Sequence, residues 1–148
     1  MKFLVAWTIA ALVCAGCSTS PSRMSADAKL ALYSAHAGAP VDSFRLLGRL
    51  SSWEVLGDEA LVVWTRPNEA WLLEPYGPCD GLDYSSAISL TDHAGRVEAG
   101  LDYVLVSNPS PIHLPCRIRG IRPLDLAAIR EADKARRSTA APVPPASH

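Results

Sequence analysis

Histidine is the side chain best suited to acid–base chemistry near neutral pH, and this chain has four: His36, His93, His113 and His148. Asp92 precedes His93, and a serine brought beside that pair would complete a hydrolytic triad. No G-x-S-x-G turn or comparable nucleophile setting is present to supply one. The stretch Asp92-His93-Ala94-Gly95 reads more simply as a hydrated turn. His36 falls in the last turn of an expected helix, where it favours the helix dipole. Asp80 and Asp83 lack the further oxygen ligands of a calcium loop, and the glycines are too scattered to cradle a phosphate. Cys79 and Cys116 have no C-x-x-C partner and no histidine at i+3 or i+4, so no metal centre is expected.

Charge supplies one pattern above background. Between residues 53 and 103 ten acidic residues stand against Arg66 and Arg96, and between 104 and 137 seven basic residues stand against three acidic ones. Arg117 and Arg119 are two apart, so in a strand they share a face; a bulge at Gly120 would leave the direction of Arg122 open. Two accounts fit. In the first the arginines lie beside carboxylates such as Glu54, Glu98 or Asp102, in pairs worth roughly a few tenths of a kcal/mol. In the second Arg117, Arg119 and Arg122 form a patch for lipid phosphates, lipopolysaccharide or an acidic partner. The net charge of −1 gives no reason to expect nucleic acid.

The N-terminus bears on the compartment. Lys2 precedes an eleven-residue apolar stretch, residues 3–13, which is too short to span a bilayer and reads as a signal peptide. The following Cys14-Ala15-Gly16-Cys17 resembles the bacterial lipoprotein signal, in which the cysteine after Ala-Gly is acylated and becomes N-terminal. That resemblance makes residues 1–16 the signal peptide, Cys17 the lipidated residue and residues 17–24 a polar tether. Ser18 after the cysteine favours the outer membrane. Cleavage without lipid is the alternative, and Cys14 stands where an aliphatic residue is usual. With Cys14 discarded and Cys17 acylated, Cys79 and Cys116 remain, and an exported chain predicts a disulfide between them rather than two buried thiols. No cofactor is expected beyond the covalent lipid.

The whole chain is 49% hydrophobic and 20% charged, and the part after the expected tether can build one domain, residues 25–137. Its centre is residues 59–79, where Leu61-Val62-Val63-Trp64 and Trp71-Leu72-Leu73 flank a Pro67-Asn68 turn. Both runs are apolar on successive residues, which predicts a hairpin covered on both faces. Ser25 caps an expected helix over residues 25–37, with Leu30, Tyr33 and Ala37 along one side. Strands are expected with Phe44, Leu46 and Leu50 inward, with Trp53 and Val55 on one face, and around residues 88–90. A further strand is expected with Val97, Ala99, Leu101, Tyr103 and Leu105 on its core face and Glu98, Gly100 and Asp102 outward. Residues 107–115 read as an irregular loop, residues 116–122 as a last strand and residues 123–137 as a helix opening at Pro123. An Ala/Pro-rich tail, residues 138–148, is expected to be disordered. The fold class is α+β: a small antiparallel sheet or partly closed barrel of about six strands, with an N-terminal and a C-terminal helix.

The motifs Ala37-Gly38-Ala39-Pro40-Val41 with Phe44, Trp53 with Leu56-Gly57-Asp58, and Trp64-Thr65-Arg66-Pro67 come first. Leu72-Leu73, Cys79, Ile88, Gly95-Arg96-Val97, Gly100-Leu101-Asp102 and Pro115-Cys116-Arg117-Ile118 with Ile121-Arg122-Pro123 follow. In this order they resemble an uncharacterised family of small proteobacterial envelope lipoproteins, over residues 37–125. The resemblance implies an envelope protein and supplies no activity. The expected role is a non-enzymatic envelope lipoprotein that binds or scaffolds an envelope component. Expected partners are the membrane, through the anchor, and an envelope protein or anionic lipid. The alternatives are an inhibitor of a cell-wall hydrolase and a small periplasmic hydrolase using His93 or His113.

Overall fold

Helix α1 (Ala26–Ala35) begins where the sequence places it, because the Ser25 hydroxyl accepts from Ala28 N at 3.2 Å. The computed structural model describes residues 24–107 and 115–140. The expected signal peptide, Cys17 and the tether to residue 23 lie outside the described residues. So do residues 108–114, with His113, and the tail from residue 141, with His148. After α1 come strands β1 (Ser43–Arg45), β2 (Ser52–Val55), β3 (Leu61–Arg66) and β4 (Glu69–Pro75). A single 3-10 turn at Leu82–Tyr84 precedes β5 (Ala87–Leu90), β6 (Arg96–Glu98), β7 (Tyr103–Ser107), β8 (Cys116–Pro123) and helix α2 (Leu126–Ala140).

The fold is α+β. Six strands form one antiparallel sheet in the order β2-β3-β4-β8-β7-β5, and β1 pairs with β6 as a separate ribbon. The β3–β4 hairpin sits inside the sheet with both faces covered. Leu61, Val63 and Leu73 join Phe44, Val97, Val104, Ile118 and Ile121 in the larger core. Val62, Ala70 and Leu72 face the other way, against Leu30 and Tyr33 of α1 and Leu126 of α2. Strands β2 and β5 end the sheet yet line a single cleft, so the sheet curls into a partly closed barrel with an open seam.

The disulfide is present. Cys79 and Cys116 are bonded, with Cα atoms 5.6 Å apart, tying the chain just after β4 to the first residue of β8. The break at Gly120 is a β-bulge: Gly120 opposes Glu74 and Ile118 opposes Pro75, leaving Arg119 as the extra residue.

Four expectations need correction. The strand read through residues 97–105 is two strands, β6 and β7, separated by a turn in which Gly100 adopts a φ of 80°. The turn inverts the pattern, so Val104 and Val106 are buried while Leu101 is 56% exposed. Asp102, assigned to the solvent face, is fully buried. Pro123 ends β8 instead of opening α2, which Asp125 caps by accepting from Ala127 N at 3.1 Å and Ala128 N at 3.0 Å. Helix α2 also continues through Ala140, three residues past the expected boundary at Arg137.

Candidate functional site

The seam is a cleft of about 640 Å³ within the range of ligand sites. One wall is β5; the other is the start of β2 with the loop before it. Leu46, Leu50, Trp53, Ile88 and Leu90 form its apolar side, Ser51, Ser52, Ser86 and Ser89 bring hydroxyls, and Arg49 and Asp92 are its charged residues.

Successive residues of an antiparallel edge strand alternate between bonding their neighbour and pointing away from it. Leu56 N bonds Ala60 O at 2.9 Å, just beyond β2, which sets the phase. Ser52 and Glu54 therefore pair with Trp64 and Val62, and the main chain of Trp53 and Val55 faces the seam. On the opposite edge Thr91 N bonds Tyr103 O at 3.0 Å, so by the same alternation Ile88 and Leu90 face it. The side chains of these four residues meanwhile turn to the core.

Beside the cleft, His93-Ala94-Gly95-Arg96 makes a tight turn with positive φ at both central residues, and Asp92 Oδ1 accepts from Gly95 N at 2.7 Å. His93 Nδ1 lies 3.3 Å from Oδ1 of Asp102, not against Asp92. Asp102 also accepts from the Thr91 hydroxyl at 2.6 Å and from Glu98 N at 2.8 Å. The Thr91 hydroxyl in turn accepts from Tyr103 N at 2.9 Å, so donor and acceptor are both engaged. The His93 side chain is 71% exposed and lies outside the cleft lining. His36 caps the C-terminus of α1.

Each arginine of the candidate patch has partners of its own. Arg117 donates from Nε to Gly100 O at 2.6 Å and from Nη2 to the same oxygen, and it lies 5.5 Å over the Tyr76 ring. Arg119 reaches Glu74 at 3.8 Å. Arg122 donates to Gly38 O at 2.9 Å and Ala37 O at 3.1 Å, fastening the segment after α1 to β8. Two of the carboxylates named as their partners are engaged elsewhere: Asp102 as described, while Glu54 holds Lys29 and accepts from the Tyr33 hydroxyl at 3.0 Å. Burial of the Tyr33 phenol, reinforced by the Glu54 charge, raises its pKa. Asp83 is also raised, by desolvation and then by the neighbouring Asp58.

Other arginines stand without carboxylates. Arg45 and Arg96 are directly opposite each other on β1 and β6, and Arg49 lines the cleft. Among the described residues none of the three has a carboxylate within ion-pair distance. One sequence signal pointed here: between Asp42 and Glu54 the only charges are Arg45 and Arg49. The seam itself had none, because local patterning does not reveal sheet order. A family model described as a family of unknown function (DUF6491) matches residues 1–140. No curated protein and no solved structure matches the chain.

Proposed function

The chain belongs to this family of unknown function, and from that premise we propose a non-enzymatic binding role in the bacterial cell envelope. In this reading Cys17 carries a lipid that holds the protein at the outer membrane, facing the periplasm, and residues 17–24 are its tether. The domain then binds or scaffolds an envelope component; inhibition of a cell-wall hydrolase is one form such a role takes. The observation that carries the reading is the seam, a cleft with an apolar side, hydroxyls and main-chain groups of Trp53, Ile88 and Leu90 turned into it. The Cys79–Cys116 disulfide supports an oxidising compartment.

A hydrolase working through His93 is the second reading, and the buried Asp102 beside that imidazole is the observation in its favour. The chemistry stops there. The Thr91 hydroxyl is engaged with Asp102 and Tyr103, and His93 stands on an exposed turn outside the cleft, so among the described residues no hydroxyl is seen aimed at it. Asp102 serves as an internal fastener.

Anchoring is tested by Cys17→Ser. The variant is expected to leave the membrane fraction or to keep its signal peptide, while the wild type sediments with outer membrane. A wild-type mature chain that is soluble and begins at another residue would contradict it.

A further inference from the structure

We propose that the seam between β2 and β5 takes an extended acidic peptide segment of a partner protein as an added strand of the sheet. This rests on the binding reading above and names its occupant. Three observations converge on it.

The first is the main chain. Ile88 and Leu90 on one edge, and Trp53 on the other, turn their N–H and C=O groups toward the same cleft, while Val55, next in phase on β2, lies beyond its lining. Five successive antiparallel pairings leave β2 and β5 running in opposite directions, so an inserted strand lies antiparallel to one edge and parallel to the other. Both ladders are available to a peptide backbone. An acyl chain in the same place leaves these groups without partners, which is unfavourable away from water.

The second is size. A strand residue fills roughly 3.3 Å of length, 4.8 Å of width and 10 Å of depth, or about 160 Å³. A cleft of about 640 Å³ therefore holds about four residues, the length of β5, every residue of which lines it. Inward side chains of the peptide would meet Trp53, Ile88 and Leu90, which favours apolar residues at alternate positions.

The third is charge. Arg49 lines the cleft, and the Arg45–Arg96 pair beside it places like charges directly opposite, an unfavourable arrangement without an anion. Asp92 is the sole acidic residue of the lining. A peptide with carboxylates at its outward or flanking positions relieves that repulsion.

The test selects random heptapeptides displayed on phage against the full mature chain in detergent micelles, with Arg49→Gln selected in parallel. Enriched sequences are expected to alternate apolar residues and to carry Asp or Glu. A synthetic peptide of the enriched sequence is expected to slow hydrogen exchange at the amides of Trp53, Ile88 and Leu90 and to leave those of Val62 and Leu72 unchanged. N-methylation of its alternate amides should weaken binding by roughly tenfold or more, and Arg49→Gln by about threefold. No enrichment, enrichment without acidic residues, or binding that leaves the three edge amides unprotected would overturn the proposal. Anionic phospholipid vesicles provide the control. Should they, and not peptides, protect the edge amides, the strand proposal fails while the binding reading stands. Should neither protect them, and cross-linking from the cleft in cells also fail, both fall.

Discussion

Cys79→Ser combined with Cys116→Ser is expected to lower the stability of the domain by roughly 4 kcal/mol. The bridge spans a sequence separation of 37 and encloses β5, β6 and β7, a loop whose closure entropy the oxidised chain no longer loses on folding. That loss is large beside the roughly 5–15 kcal/mol of a typical domain. Its effect should concentrate on the seam, since β5 is held to the sheet through β7 alone. The measurement is denaturant unfolding of the wild type and the double serine variant under non-reducing conditions, with amide exchange followed on β5. A loss below about 1 kcal/mol would contradict the expected value, as would unchanged exchange in β5.

Asp102→Ala is expected to cost about 3 kcal/mol, because each buried polar group left without its partner costs about 1–3 kcal/mol. The fully buried carboxylate accepts from Glu98 N and the Thr91 hydroxyl, and alanine strands both donors. Asp102→Asn should be milder, since its amide oxygen still serves one donor while its NH₂ faces the other. The His93 contact contributes little by comparison, because the imidazole is exposed. Denaturant midpoints of the two variants with the disulfide intact check the order. Equal, small losses in both would show that Asp102 is not the fastener of the β6–β7 turn.

How much of this was legible in the sequence depended on whether the deciding interaction was local. The β3–β4 hairpin could be read because two unbroken apolar runs around Pro67-Asn68 demand cover on both faces, and both faces are covered. Ser25 could be read as a cap from its own side chain. The disulfide could be read because the expected signal peptide and lipidation set Cys14 and Cys17 aside, leaving two cysteines for one bridge. Residues 97–105 misled because alternation is blind to a turn: Gly100 reverses the chain, and every assignment after it shifts phase. Asp102 misled for the related reason that a buried carboxylate and a solvated one look alike until their donors are known. Arg117 and Arg122 were read as charges, yet they bind backbone carbonyls that the fold brings from Gly100, Ala37 and Gly38. The seam lay furthest from sequence, since it arises from the order of six strands.

The central claim is that the cleft between β2 and β5 is where this protein meets its partner. Photo-cross-linking in intact cells tests it most directly, with a photoreactive residue placed singly at Ser52, Ser89 or, as the distant control, Arg130 on α2. Cross-links to one discrete envelope component are expected from Ser52 and Ser89 and not from Arg130. Cross-linking from Arg130 alone, with none from either cleft position, would contradict the account.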